Sequence, residues 1–150
     1  MSEEQFLDTN IFLRHLLGDD PAQSPRATAY FQAIEQGRSR ARISEIIIFE
    51  VVFTLERGYH RSKAEIQSAV LPLLELPGIV LPGKRKFREV FRLYIEQNIS
   101  FADAYHVVMM RKLELPEIVS FDRDFNRIPS IKRVEPDSEG VLIQANGSSR

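Results

Sequence analysis

Residues 5–17, QFLDTNIFLRHLL, place a carboxylate between a short apolar segment and an amphipathic one. Phe6 and Leu7 precede Asp8, and apolar residues then recur at helical spacing from Ile11 to Leu17. The pattern predicts a buried strand, a tight turn and a helix. Ligands of open α/β sheets lie at the carboxyl ends of strands, so Asp8 is a candidate site residue. The alternative is that Asp8 only caps the helix.

The rest of the chain repeats this alternation of strand and helix. Strands are expected at 40–43, 79–81, 117–120 and, more weakly, 131–134. Helices are expected at 25–36, 45–58, 64–76, 84–97 and 100–113, with Ser24, Ser44 and Ser62 as N-caps and Pro72 ending or kinking its helix. The segment 46–53 is rich enough in β-branched residues to form a strand, but it continues to residue 57 without a turn signal, which favours a helix.

This order of elements predicts the α/β class, with a small, mostly parallel sheet flanked by helices on both faces. The 150 residues correspond to one domain, for which we expect the boundaries 1–135. Residues 136–150 are expected to form a partly disordered tail, because the last seven are polar.

Composition excludes several classes of site. The chain has no cysteine, which rules out disulfides, thiolate zinc sites and cysteine nucleophiles. The formal net charge of −1 means that any nucleic-acid surface must be a local patch. No apolar run reaches membrane-spanning length, and the acidic N-terminus is unlike a secretory signal, so we expect a cytoplasmic protein without membrane attachment.

Three further acids occupy positions like that of Asp8. Glu50 lies in an apolar stretch, where burying a lone charge is costly; the alternative is that it lies on an exposed stripe of the helix. Asp103 follows Ser100 at capping-box spacing. Asp122 directly follows the strand at 117–120, and Asp124 comes two residues later, although ordinary loop chemistry also explains both.

Strand ends and helix starts of a parallel sheet meet at one edge, so we expect these carboxylates to converge there. Crowded carboxylates repel one another, which raises their pKa values, and a divalent cation relieves the repulsion. Oxygen ligands without histidine or thiolate suit Mg²⁺ or Mn²⁺. Such ions activate water and stabilise the oxygens of a phosphodiester undergoing displacement.

The motifs LDTNIFLRHLL, SEIIIFEVVFTLER, SFADAYHVVM and VSFDRDF resemble those of the PIN-domain ribonucleases, most closely the small VapC-type toxins. The resemblance covers residues 6–134. It implies a three-layer α/β/α fold, a Mg²⁺ or Mn²⁺ site, endonucleolytic cleavage of RNA, a partner antitoxin and a homodimer. The matching metal-binding positions are Asp8, Glu50, Asp103 and Asp122, with Asn10 supporting the first acid, Ser120 orienting the last, and Asp124 as a looser outer match.

Two other functions are compatible with the residues. A phosphatase with Asp8 as its nucleophile typically has a second acid two residues later, where this chain has Asn10. A non-catalytic module that binds RNA or a protein partner would need no metal. Basic clusters at 38–42, 57–63 and 84–88 can contact phosphates, but each is also typical of a solvated surface. His106, one turn after Asp103, is a weaker site candidate.

Overall fold

The first part of the chain builds a parallel sheet of three short strands. In the computed structural model, which describes residues 3–145, β1 (Glu4–Phe6), β2 (Arg40–Arg42) and β3 (Ile79–Val80) pair in that order. Helices α1 (Thr9–Leu17), α2 (Gln23–Glu35), α3 (Glu45–Phe53) and α4 (Lys63–Leu74) connect the strands, and a π-helical turn (Thr54–Gly58) prolongs α3. These elements belong to the first of two compact units, Met1–Arg88 and Glu89–Arg150.

Aromatic side chains join α1 to α2 in the first unit. Phe12 and Phe31 are both buried and meet edge to face, with ring centroids 5.1 Å apart. His15 stacks on Phe31 at 4.7 Å, and its Nδ1 lies 2.9 Å from Thr28 Oγ1. The amphipathic pattern of residues 11–17 therefore serves to seat α1 against α2.

The second unit carries a mixed sheet. Helix α5 (Lys86–Glu96) leads into α6 (Phe101–Leu113), β4 (Glu117–Val119), a 3-10 helix (Arg123–Arg127), β5 (Lys132–Pro136) and β6 (Leu142–Gln144). Strand β4 pairs with β5 in parallel, and β6 pairs with β5 antiparallel. Phe91, Tyr94 and Phe101 form a buried aromatic cluster, with Phe101 4.9 Å from Phe91 and 5.4 Å from Tyr94.

The predicted alternation of strands and helices is confirmed, and so is the helical reading of residues 45–53. The predicted N-cap at Ser24 is wrong. Asp20 Oδ1 instead accepts hydrogen bonds from the amides of Ala22 (2.9 Å) and Gln23 (2.7 Å), while Ser24 Oγ accepts one from the Asp20 amide. A carboxylate is the stronger acceptor, so the helix begins earlier, and Pro25 falls within the first turn, where no amide donor is needed.

The expected burial of the first strand needs correction, and the effect of Pro72 is settled only in part. Strand β1 is not buried: its three residues are exposed, and burial begins at Leu7. Of the two effects expected of Pro72, ending the helix does not occur at that residue, since α4 continues to Leu74, and the kink stays a prediction.

The expected tail at 136–150 contains a strand. Residues Leu142–Gln144 form β6, and the Asp137 side chain builds the preceding turn by accepting hydrogen bonds from the amides of Glu139 and Val141. Residues 146–150 of the expected tail lie outside the described residues, and the domain boundary at residue 135 stays a prediction. Within residues 3–145, no helix combines the length and the apolar character needed to cross a bilayer.

Candidate metal centre

Asp8 stands at the junction of β1 and α1 and caps the helix. Its Oδ1 accepts a hydrogen bond from the Thr9 amide at 2.8 Å, as the capping alternative predicts. Its Oδ2 accepts no hydrogen bond from any residue in the described range 3–145, and the side chain is exposed. One carboxylate oxygen is thus fixed by the backbone, and the other is open to a ligand.

Glu50 is connected to the same turn by a side chain that the sequence analysis did not single out. Thr9 Oγ1, on a residue only 7% exposed, donates a hydrogen bond to Glu50 Oε2 at 3.1 Å. Glu50 itself is exposed, as are Ile46 and Phe53 on the same face of α3, so the expectation of a buried glutamate is wrong. The apolar residues around Glu50 in sequence point to other faces of the helix.

Asn10 was expected to support Asp8. It is exposed, and within the described part of the chain its side-chain amide forms no hydrogen bond. Its supporting role stays a prediction.

Three aspartates of the second unit lie close together. One carboxylate oxygen from each of Asp103, Asp122 and Asp124 lies within 4.8 Å of the others. Asp103 and Asp124 are half-buried, whereas Asp122 is exposed. Asp103 and Asp122 therefore lie close together, as the sequence predicted, and Asp124 lies beside them.

The start of α6 positions Asp103. Ser100 is the N-cap, and its Oγ accepts a hydrogen bond from the Asp103 amide at 3.1 Å. Burial raises the pKa of the Asp103 carboxyl, and the neighbouring Asp122 carboxylate raises it further. The Ser100 hydroxyl and His106 act in the opposite direction, but the net pKa shift is upward. Whether His106 belongs to the site stays a prediction.

The loop after β4 positions the other two aspartates. Ser120 Oγ accepts a hydrogen bond from the Asp122 amide at 3.0 Å, and Asp122 Oδ1 accepts one from the Asp124 amide at 2.9 Å. Asp124 Oδ1 also pairs with Arg127 Nη2 at 2.7 Å, and Arg127 Nη1 donates to the Asn98 carbonyl at 2.8 Å. Asp122 has no cationic partner of this kind among the residues that the structure describes, which leaves it the more available ligand.

Arg133 supports this loop through hydrogen bonds, and the sequence analysis did not single out this residue. The residue is 5% exposed; its Nη1 donates to the Ser120 carbonyl at 3.0 Å, and its Nε donates to Asn126 Oδ1 at 3.0 Å. Arg133 also pairs with Glu135. The sequence did contain a sign of this role: Arg133 lies inside the predicted strand 131–134. A charged side chain that is buried in a strand needs hydrogen-bond or charged partners.

The donor set fits a hard divalent cation. Three carboxylates within reach of one another offer oxygen ligands only, and their mutual repulsion makes a neutralising ion favourable. The raised pKa of Asp103 comes first from burial and then from the neighbouring Asp122 carboxylate.

Many of the basic residues in the three predicted clusters already have partners. Arg42 pairs with Glu4 at 2.5 Å, and Arg88 pairs with Glu75. Lys84 Nζ donates to the carbonyls of Leu76 and Ile79, each at 2.7 Å. These three side chains are therefore bound within the protein, as expected of basic residues on a solvated surface. A phosphate contact would need a different cation.

Comparison with known families decides the identity of the fold: the model of the PIN domain matches residues 6–131. The chain belongs to the PIN domain family. This confirms the predicted PIN-like fold class, and all four predicted acids fall inside the matched range.

Two relatives of this PIN domain are informative to different degrees. A VapC ribonuclease from Aquifex aeolicus (strain VF5) is 30% identical over 135 residues, which cover 90% of this chain and 98% of that protein. A crystal structure of VapC20 from Mycobacterium tuberculosis, a Sarcin-Ricin loop cleaving toxin, matches 94% of this chain and 99% of that chain at 17% identity and a TM-score of 0.38. The second likeness is too weak to support a conclusion.

Divalent-metal dependence is general among PIN-domain nucleases, and the three-aspartate cluster provides a suitable donor set in this PIN domain. The four predicted acids divide between the two units: Asp8 and Glu50 belong to the first, and Asp103 and Asp122 belong to the second. The convergence of all four stays a prediction.

Proposed function

We propose that this protein is a Mg²⁺- or Mn²⁺-dependent endoribonuclease of the VapC type, acting as the toxin of a toxin–antitoxin pair. The observation that carries the proposal is the cluster of Asp103, Asp122 and Asp124 in a chain that belongs to the PIN domain family. The 30% identity with a VapC ribonuclease over nearly the whole chain supports the choice of RNA as substrate.

Asp103 and Asp122, with Asp8, are the proposed metal ligands, and Glu50 either ligates the metal or positions the attacking water. A divalent ion at such carboxylates lowers the pKa of bound water and neutralises charge on a phosphodiester. The protein's part is to hold the oxygen atoms in place. Ser120 fixes the backbone of Asp122, the Thr9 amide fixes one oxygen of Asp8, and the Thr9 hydroxyl restrains Glu50.

The direct test is cleavage of RNA by the purified protein with Mn²⁺, compared with Asp8→Asn, Asp103→Asn and Asp122→Asn. We expect each variant to lose activity by more than about 100-fold, because even outer-shell partners of a metal ligand are worth about 10- to 100-fold. Glu139→Gln, which neutralises an exposed carboxylate in the β5–β6 turn, is the control and should retain activity. Cleavage that survives any of the three Asn substitutions removes that residue from the site.

The proposed partners are an antitoxin and a second copy of the chain. Exposed apolar side chains in both units support protein binding, among them Ile46, Phe53, Leu113, Val119 and Phe121. We further propose a cytoplasmic location, where RNA and an antitoxin are both accessible. Sedimentation of the purified protein at several concentrations tests the homodimer, and co-purification with the product of the adjacent reading frame tests the antitoxin. A concentration-independent monomer contradicts the homodimer.

A further inference from the structure

A polar groove lies beside Asp8 in the first unit. It has a volume of about 470 Å³, which is in the range of small-molecule sites, and Asp8 lies among the residues that line it. The groove runs between α1 and α2, which supply Asn10, Ile11, Arg14, Gln23, Arg26 and Tyr30. Residues 23, 26 and 30 follow helical spacing, so α2 presents them along one face.

Arg26 is the available cation of this groove. Arg14 is already committed, since its Nη1 pairs with Asp19 at 3.0 Å and its Nε donates to Gln23 Oε1 at 3.2 Å. Arg26 is exposed, and its guanidinium forms no hydrogen bond or ion pair with any residue from 3 to 145. An unpaired guanidinium in a polar cleft is suited to a phosphate group.

Tyr30 gives the groove an aromatic surface one turn further along α2. The residue is half-buried, and burial raises the pKa of its hydroxyl, so the side chain is neutral at physiological pH. Single-stranded RNA is recognised mainly by stacking its bases on aromatic rings and pairing its phosphates with cations. Arg26 and Tyr30, four residues apart, provide both on one helix face.

We propose that this groove binds one nucleotide of a single-stranded RNA beside the bond to be cleaved, with its phosphate on Arg26 and its base on Tyr30. The inference rests on the proposed ribonuclease function, because it is the role of Asp8 in cleavage that makes the groove a substrate subsite. The groove then selects unpaired RNA over a duplex, since a paired base cannot reach an aromatic ring in a cleft between two helices.

Binding without cleavage separates this subsite from catalysis. The parent for the experiment is Asp103→Asn, whose substitution lies in the second unit and leaves the groove unchanged. Fluorescence anisotropy of a short labelled single-stranded RNA, in chelator and over a series of KCl concentrations, gives the Kd and its salt dependence.

We expect Arg26→Gln to raise the Kd about tenfold and to reduce the slope of log K against log salt by about 0.7, the value for one phosphate contact on a single strand. Tyr30→Leu should raise the Kd about tenfold without changing that slope, because stacking is uncharged. Tyr30→Phe keeps the ring and should bind like the parent. Arg92→Gln removes an exposed arginine that is already paired with Glu89 and Glu96, and is the matched control.

The proposal is overturned if Arg26→Gln behaves like Arg92→Gln, or if Tyr30→Leu binds RNA like the parent while its circular dichroism shows a folded protein. Unchanged RNA binding in both variants would exclude the groove as an RNA subsite. The ribonuclease proposal fails separately: the unmutated protein with Mn²⁺ would then cleave no RNA, whatever the binding differences are.

Discussion

At the scale of single residues, the environment of Asp103 disfavours a negative charge on its carboxyl. Burial raises the pKa of its carboxyl, and the nearby Asp122 carboxylate adds to the effect. A carboxyl whose pKa is higher in the folded than in the unfolded protein stabilises the fold fully below the unfolded pKa. That contribution is lost as pH rises through the folded pKa, so the ionised Asp103 works against folding near neutral pH.

We therefore expect Asp103→Asn to raise the free energy of unfolding of the metal-free protein near neutral pH. The gain should shrink as pH falls below the usual aspartate range, where both forms are neutral. The Ser100 cap survives the substitution because it binds the backbone amide of residue 103. Urea unfolding in chelator across this pH range measures the effect, and a less stable variant at neutral pH would contradict the repulsive cluster.

At the scale of elements, the loop that carries Asp122 and Asp124 depends on strand β5 through Arg133. Removing this buried arginine leaves the Ser120 carbonyl and Glu135 without their partner. We expect Arg133→Leu to cost about 1–3 kcal/mol of unfolding free energy, the usual cost of leaving hydrogen-bond partners unsatisfied, since Glu135 is partly exposed. The variant should also cleave RNA more slowly, because the loop is no longer held.

The neighbouring Lys132 is the control for this prediction. It pairs with Glu117 at 3.4 Å on the surface, where an ion pair is worth less than about 1 kcal/mol. Urea unfolding of Lys132→Leu and Arg133→Leu compares the two sites. Equal losses of unfolding free energy in the two variants would show that Arg133 does not support the loop.

The connection between α4 and β3 contains Gly78, where the surrounding atoms leave no room for a side chain. A Cβ at Gly78 would lie 2.7 Å from Ile34 Cγ2 and 3.1 Å from the Ser39 carbonyl oxygen. We expect Gly78→Ala to cost about 1–3 kcal/mol, the usual cost of overpacking, because backbone atoms of this region cannot move away freely.

Gly58→Ala provides the comparison, since its new methyl would meet only Thr54 Cγ2 at 3.9 Å. That variant should be neutral or more stable by about 0.5 kcal/mol, because alanine restricts the unfolded chain. Thermal unfolding of both variants distinguishes them. A Gly78→Ala protein as stable as Gly58→Ala would refute the close approach of Ile34.

At the scale of the whole molecule, metal binding should stabilise the folded chain. At a Mn²⁺ concentration one hundred times its Kd, we expect about 2.7 kcal/mol of added stability. Asp122→Asn should gain much less at the same concentration, because a ligand is missing. Thermal unfolding with and without Mn²⁺ tests this without any assay of cleavage, and an equal gain in both proteins would place the ion elsewhere.

Much of the secondary structure was predictable because its signals are local. The capping box joins Ser62 to Glu65, and the cap of α6 joins Ser100 to Asp103; each spans three residues. The start of α2 was missed because two side chains competed for its amides, and Asp20 rather than Ser24 binds them. Strand β6 was missed because the polar end of the chain was extended back over Val141, Leu142 and Ile143, an apolar run that pairs with β5.

The sequence by itself determined most of the helices and strands, though not β6 or the start of α2, and it picked out Asp103 and Asp122, which the structure brings together. Periodicity and motif spacing carry that information, since both depend on near neighbours. Only the tertiary structure decided that Glu50 is exposed and bound to Thr9, 41 residues away, that Arg133 supports the aspartate loop, and that Arg26 and Tyr30 share a groove with Asp8. These features depend on which helix and strand faces pack together, and packing joins residues whose separation along the chain has no fixed period.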